Sequence, residues 1–76
     1  MEIIDELQSV FRQVFDEDDL IITENTTAND IEDWDSLTHM QLIVLIEKKF
    51  GIKFTTEEIK KAANVGEFIG IIKGKL

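Results

Sequence analysis

The sequence has no cysteine and no proline, and only four glycines in 76 residues. Without cysteine the chain can form no disulfide, offers no thiolate nucleophile and cannot build a cysteine-based zinc site. Its single histidine, His39, excludes a pair of histidine ligands. The lack of proline and the few glycines argue against a disordered linker and against a β-meander with many tight turns.

Long apolar segments are also missing. The longest uninterrupted apolar run, Leu42–Ile46, has five residues, whereas a membrane-spanning helix needs about 20. The segment Met1–Glu6 is acidic where a signal peptide would be basic. We therefore expect a cytoplasmic protein that does not insert into membranes, and the length predicts a single domain over residues 1–76.

Positive charge is scarce in the first part of the chain. Residues 1–47 contain 13 acidic side chains and one basic side chain, Arg12, whereas residues 48–76 contain three acidic and seven basic ones. The formal net charge of −8 disfavours binding to nucleic acid or to an anionic membrane surface. A basic protein surface is the natural complement of the acidic half.

The spacing of apolar residues predicts an all-α fold, a four-helix bundle with a long first loop and a short third helix. The first helix is expected at 2–15 and the second at 36–50. The third begins with the capping box Thr55–Glu58 and ends near Ala63, and the fourth covers 65–74. Residues 16–35 remain as an ordered loop with a turn or two.

The ends of the second helix have clear local signals. Asp35 or Ser36 can cap its first turn, and Gly51 can take the left-handed position at its end, with Ile52 packing back. Five apolar residues should hold the acidic loop on the core: Leu20, Ile21, Ile22, Ile31 and Trp34.

The most informative motif is the tripeptide Asp35-Ser36-Leu37 at the start of an amphipathic helix, inside the stretch Trp34–Leu42. With the acidic loop, the helix order and the helix end Phe50–Ile52, it resembles the attachment site of acyl carrier proteins over the whole chain. The resemblance implies a bundle of the acyl-carrier type. It also implies a covalent 4′-phosphopantetheine on Ser36, acyl groups held as thioesters, and Asp35 presenting the serine to a basic transferase.

Physical chemistry agrees with this interpretation of Ser36. A phosphodiester there would lie at a helix N-terminus, where free amide groups and the helix dipole favour an anion. The absence of cysteine also fits, because the thiol would come from the prosthetic arm. The alternative is that Ser36 is simply the N-cap of the helix, which is a common role for serine.

The second helix presents two apolar faces. Leu37, Met40 and Val44 share a stripe beside Ser36, with Gln41 next to it. The opposite side points to the core and comprises Leu42, Ile43, Ile46 and Phe50. We expect the stripe to bind partner enzymes together with Glu47, one of the main acids near the serine. The alternative places Met40 and Val44 at the edge of the core.

The family resemblance also implies a space between the helices that shelters the acyl chain. The residues expected to line it are Leu42, Ile46, Phe54, Ala62, Ala63 and Phe68. Ordinary core packing explains the same residues equally well.

Two further features have simpler explanations. His39 follows Ser36 by three residues, but without a third group or an oxyanion hole it is expected to be a solvent-exposed surface histidine. The acidic segments Asp16–Asp19 and Asp30–Asp35 do not fit the calcium-binding loop of an EF-hand, so we expect a solvated acidic surface and no metal site.

The sequence thus favours a monomeric, non-catalytic carrier. The resemblance implies three kinds of partner: a phosphopantetheinyl transferase, an acyl-loading ligase or acyltransferase, and a ketosynthase or other acyl-processing enzyme. Carriers of fatty-acid synthesis usually have acids soon after the serine, where this chain has Thr38, His39 and Gln41. The resemblance implies fatty-acid, polyketide or related specialised biosynthesis, and this departure favours a dedicated polyketide, lipopeptide or modified-sugar pathway.

Three alternatives stay open. An aminoacyl or peptidyl carrier, such as a D-alanyl carrier, shares the fold and the serine. An acidic interaction module would use Ser36 only as a cap. A calcium sensor is the most distant of the three.

Overall fold

Four α-helices make up the structure, a computed structural model that describes residues 2–76. They are α1 (Ile3–Phe15), α2 (Ser36–Phe50), α3 (Thr56–Lys61) and α4 (Val65–Lys75). The predicted all-α architecture is confirmed, with a long first loop and a short third helix. Within residues 2–76 no helix is both long enough and apolar enough to cross a membrane.

Local capping sets the ends of α2 as the sequence predicts. The Asp35 side chain accepts hydrogen bonds from the amides of Leu37 and Thr38 and is the N-cap. At the other end Gly51 has φ 68°, the left-handed conformation that glycine adopts most readily. The amides of Gly51 and Ile52 both donate to the carbonyl of Glu47, which closes the helix.

Helices α3 and α4 also begin with a side-chain cap, whereas α1 does not. Thr55 and Glu58 form the predicted capping box at the start of α3, and the Asn64 side chain accepts from the amide of Glu67 at the start of α4. The boundaries differ from the predicted ones by one or two residues, which is the usual uncertainty where helix ends fray.

The loop over residues 16–35, called loop 1 below, packs on the start of α4. The amides of Val65 and Gly66 donate to the carbonyls of Thr26 and Glu24, at 2.9 and 3.0 Å. These amides belong to the first turn of α4 and have no partner within the helix. Loop 1 therefore completes the N-terminus of α4, an arrangement that the sequence did not predict.

Loop 1 is held on the core by fewer residues than expected. Ile22, Ile31 and Trp34 are buried and Leu20 is half-buried, but 74% of Ile21 is exposed. The prediction that Ile21 packs on the core is therefore wrong. The segment around it is not helical, and in an extended chain successive side chains point to opposite sides. Burial of Ile22 thus turns Ile21 outward.

Aromatic rings fill the centre of the bundle. Phe11 lies edge-on to Trp34 and to Phe68, with ring centroids 5.3 and 6.2 Å apart. Phe15 and Phe54 extend the cluster on either side. Such tilted contacts add to the stabilisation from burial, and they fix Trp34 just ahead of α2.

Candidate functional site

Ser36 lies at the corner where loop 1 meets α2. It is the first residue of the helix and its side chain is exposed. The hydroxyl makes no hydrogen bond to any residue in the range 2–76. An exposed hydroxyl that has no structural task is accessible to an enzyme that would modify it.

The neighbouring Asp35 performs the capping role instead. Its Oδ1 accepts from the amides of Leu37 and Thr38, each at 3.0 Å. The hydrogen bond from the Thr38 amide is the main reason why the pKa of Asp35 is lowered from its ordinary value of 3.8. Asp35 thus places a carboxylate beside Ser36. Because it occupies two amides of the first turn, fewer free amides remain for a phosphate on Ser36 than the sequence led us to expect.

Thr38 locks the turn that carries Ser36. Its hydroxyl accepts from the amide of Asp35 and donates to the carbonyl of Asp33, both at 2.8 Å. Together with the Asp35 side chain this makes a reciprocal capping box. Thr38 was not among the predicted site residues, although an Asp followed three residues later by a hydroxyl residue is a usable signal for such a turn.

His39 is not the exposed surface histidine that was expected. It is half-buried and lies against Trp34, with ring centroids 6.1 Å apart and ring planes 23° apart. Trp34 Nε1 donates to His39 Nδ1 at 3.0 Å, and His39 Nε2 is 2.8 Å from the Ile59 carbonyl oxygen. The prediction was wrong because helical spacing alone does not show that the gap between α2 and α3 lies over this position.

These contacts also exclude a Ser36–His39 catalytic pair in this conformation. An indole N–H only donates, so Nδ1 of His39 must be the acceptor and its proton must lie on Nε2. Nε2 then donates to the carbonyl of Ile59. With both ring nitrogens engaged, the imidazole cannot accept a proton from Ser36.

A groove opens beside Ser36 between loop 1, α2 and α3. It is lined by Ala28, Trp34, Asp35, Ser36, His39, Met40, Ile59, Lys60, Ala62 and Ala63. Ala62 and Ala63 are the residues of the expected acyl-chain space that reach it. Leu42, Ile46 and Phe68 are fully buried in the core, and Phe54 packs against it.

The outer face of α2 is apolar and exposed. The exposed fractions are 69% for Leu37, 46% for Met40 and 45% for Val44. Together with the exposed Gln41 these residues form what we call the α2 stripe, which lines a second groove against α1. Neither Met40 nor Val44 is among the buried residues or the partly buried ones packed against the core, which disfavours the alternative that they lie at its edge.

Glu47 differs from the other residues expected to bind partners. Its Oε2 accepts from the amide of Phe54 at 2.7 Å, and the residue is half-buried. One carboxylate oxygen therefore holds the segment that connects α2 to α3.

Groups of carboxylates do not converge on a metal position in the described part of the chain. Among residues 2–76 there is no cluster of three or more His, Cys, Asp or Glu side chains that could hold a metal ion.

Comparisons with known proteins point to one family. A family model described as a phosphopantetheine attachment site matches residues 5–72. An acyl carrier protein of Lactobacillus acidophilus is 31% identical over 72 residues, which are 95% of this chain and 90% of that one. Another, from Thermotoga maritima, is 28% identical over 75 residues, or 99% and 93% of the two chains.

A solved structure agrees with the sequence comparisons. The solution structure of a holo acyl carrier protein from Geobacter metallireducens superposes with a TM-score of 0.90 at 47% identity, over 99% of this chain and 86% of that one.

Proposed function

Because this chain belongs to the acyl carrier protein family, whose prosthetic group is phosphopantetheine, we propose that the group is attached to Ser36 and holds acyl intermediates for partner enzymes. When bound, the arm supplies a thiol on which acyl groups are carried as thioesters. The chain itself contributes position, charge and contact surface, and its role is that of a carrier and not of a catalyst.

The observation that carries this proposal is the division of work between Asp35 and Ser36. Asp35 caps α2, so the structure of the helix does not depend on the Ser36 hydroxyl. That hydroxyl is exposed at a corner fixed by Thr38. These features support esterification of Ser36, and they disfavour the interaction module in which Ser36 serves only as a cap.

The surroundings of Ser36 fit a phosphodiester on its hydroxyl. The group would lie at the positive end of the α2 dipole, which favours an anion. The nearby Asp35 carboxylate is negative, so the phosphate would gain most by pointing into solvent. An arm that leaves the surface in this way is free to reach the active sites of other proteins.

Partner enzymes are proposed to dock on the α2 stripe. Exposed apolar side chains beside the modified serine offer contact area, and the surrounding acidic field of residues 1–47 attracts a basic partner. The first turn of α2 has no acidic residue and its last turn contains Lys48 and Lys49. Docking should thus depend more on apolar contact than on an acidic helix. The partners include the transferase that adds the arm, and acyl-loading and acyl-processing enzymes of a dedicated pathway.

A thiol titration tests the proposal, because the chain contains no cysteine. Purified protein is treated with coenzyme A and a promiscuous phosphopantetheinyl transferase, freed of small molecules, and assayed for thiol. The parent and the Ser9→Ala control should gain one thiol per chain, and Ser36→Ala should gain none. Equal thiol content in parent and Ser36→Ala would overturn the assignment of Ser36.

A further inference from the structure

Two lysines follow the α2 stripe at the end of the helix. Lys48 and Lys49 are exposed and lie in the last turn of α2. Lys48 comes four positions after Val44, a residue of the stripe, so the two side chains lie on one face of the helix. Both lysines line a groove against α1 that shares Gln13 and Leu45 with the groove of the stripe. The apolar stripe therefore continues into a positively charged end.

The charge of these two lysines is not paired with an acidic side chain anywhere in residues 2–76. The residues of α1 that line the groove at this end are Ser9, Val10 and Gln13, and all three are uncharged. Glu47 is the nearest acid along the chain, but its carboxylate accepts from the amide of Phe54 and holds the segment between α2 and α3. The positive charge at the end of α2 is thus open to a partner.

The other end of the stripe has the opposite charge. Asp33 and Asp35 are exposed just ahead of Leu37, and Asp16 and Glu17 are exposed directly after α1. Earlier residues of α1 line the lysine end of the groove and later ones line the stripe, so the end of α1 lies near the start of α2. The stripe therefore runs from an acidic end to a basic end.

The two ends are far enough apart to be recognised separately. At 1.5 Å per residue, the helical rise from Leu37 to Lys48 is roughly 16 Å. At physiological ionic strength, charges are screened over about 8 Å. The net charge of −8 therefore favours the approach of a basic partner, but at contact the lysines act on the side chains directly opposite them.

We propose that Lys48 and Lys49 determine which enzymes can dock on the α2 stripe. The inference rests on the proposed docking of partners there. Like charges placed opposite each other in an interface suppress wrong partners, so an enzyme whose carrier-binding surface is basic throughout is disfavoured. The partner that fits is an enzyme with basic side chains near Ser36 and acidic side chains roughly 16 Å away, opposite the two lysines.

Direct binding to a probe of known charge tests this inference. The probe is a phosphopantetheinyl transferase chosen for a basic carrier-binding surface, and its Kd is measured without coenzyme A. Lys48→Glu/Lys49→Glu should bind the probe about fivefold or more tightly than the parent does, because the local repulsion is removed. Lys53→Glu/Lys73→Glu changes the net charge equally, at exposed lysines outside the groove. This control should gain about twofold or less.

A milder variant guards against an effect of the substitutions on folding. Lys48→Gln/Lys49→Gln places no acid at the end of α2, where the helix dipole disfavours negative charge. It should show a smaller gain in affinity of the same sign, and circular dichroism checks that each variant is folded. High salt should reduce both gains. Equal Kd values for the parent and both lysine variants, or an equal gain in the control, would overturn the inference.

A separate substitution tests the docking on which the inference rests. Leu37→Ala removes apolar surface from the stripe and leaves its charge unchanged, so it should weaken binding of the probe. An unchanged Kd would show that the transferase does not dock on the α2 stripe and would overturn the proposed docking surface itself. Modification by coenzyme A in a parallel reaction tests the attachment at Ser36 independently of either result.

Charge exchange tests the acidic complement. Basic residues on the carrier-binding surface of the transferase are replaced one at a time by Glu. At least one such enzyme should bind the parent more tightly than the unmodified enzyme does, and bind Lys48→Glu/Lys49→Glu less tightly. A crossed pair of this kind indicates direct contact in a double-mutant cycle, and its absence would overturn the inference. Sedimentation of the parent alone should show a monomer. A dimer that dissociates in Lys48→Glu/Lys49→Glu would place a second copy on the stripe and also contradict it.

Discussion

Trp34 Nε1 and His39 Nδ1 lie 3.0 Å apart, joined by a hydrogen bond between rings that stack with planes 23° apart. His39 follows Trp34 by five positions along the chain, and Ser36 lies between the two residues. The tryptophan belongs to the aromatic core, whereas the histidine also reaches the carbonyl of Ile59 on α3. The corner that presents Ser36 is thus anchored on both sides.

The hydrogen bonds that His39 makes with the indole of Trp34 and with the carbonyl of Ile59 should contribute measurably to stability. His39→Ala leaves the Trp34 N–H and the Ile59 carbonyl without their partner, so the free energy of unfolding should fall by about 1–3 kcal/mol. His39→Gln should lose less, because its amide can both accept and donate. Urea unfolding followed by circular dichroism measures both variants. Equal stability of parent and His39→Ala would show that the two hydrogen bonds contribute nothing.

Gly66 and Gly70 form a matched pair on α4. A Cβ on Gly66 would lie 3.0 Å from the carbonyl oxygen of Glu24, whereas a Cβ on Gly70 would have no neighbour within 4 Å. Gly70→Ala should therefore raise the free energy of unfolding by roughly 0.5–1 kcal/mol through helix propensity. Gly66→Ala should lower it by about 1–3 kcal/mol through overcrowding against loop 1.

Denaturant unfolding of the two glycine variants gives the comparison directly. Opposite signs are expected for chemically identical substitutions in one helix. Two stabilising substitutions would mean that loop 1 does not approach the start of α4 as closely as its hydrogen bonds to Val65 and Gly66 require.

Acid should weaken the cap of α2. The pKa of Asp35 is lowered in the folded chain from its ordinary value of 3.8, mainly by the amide of Thr38. The stabilisation from the Asp35 carboxylate is therefore complete above this ordinary value and is lost as the pH falls through the lower folded value. Asn caps helices but does not titrate in this range. Between about pH 6 and pH 2.5 the melting temperature of the parent should therefore fall more than that of Asp35→Asn.

Thermal unfolding of the parent and Asp35→Asn across this pH range measures the difference. A gap between the two melting temperatures that stays constant with pH would contradict a lowered pKa for Asp35. The pKa of Glu58 is lowered for a similar reason, chiefly by the amide of Thr55. As the pH is lowered, the melting temperature of Glu58→Gln should therefore also fall less than that of the parent.

Substitutions of Leu37 and Ile21 distinguish docking on the α2 stripe from an effect of apolar exposure alone. They are exposed to similar extents, 69% and 74%, but only Leu37 is next to Ser36. Leu37→Ala should lower kcat/KM for the phosphopantetheinyl transferase by about fivefold or more. Ile21→Ala should leave it unchanged. Both variants should keep the free energy of unfolding within about 0.5 kcal/mol of the parent. Equal kinetic effects would argue against docking on the α2 stripe.

The helices and their caps were predictable because local signals determine them. The side chains of Asp35, Thr55 and Asn64 bond amides within three residues of themselves, and Gly51 supplies a backbone conformation that is local as well. The exposure of the α2 stripe followed from helical periodicity.

The features that were predicted wrongly depend on contacts between segments that are distant along the chain. The burial of His39 is set by the carbonyl of Ile59, twenty residues away, and the outward position of Ile21 by the docking of Ile22. Phe68, which was expected to line an acyl-chain space, is fully buried, and its part in such a space stays a prediction. A hydrophobic pattern indicates which side chains leave water, but it does not show whether any space remains between them.

Locating the arm on the chain tests attachment at Ser36 most directly. After modification with coenzyme A, the protein is digested and the peptides are fragmented in the mass spectrometer. Phosphopantetheine is expected on Ser36, with Ser9 and the nearby Thr38 unmodified and the fold of Ser36→Ala intact. Phosphopantetheine on any other residue, or its complete absence from a folded sample, would contradict attachment at Ser36.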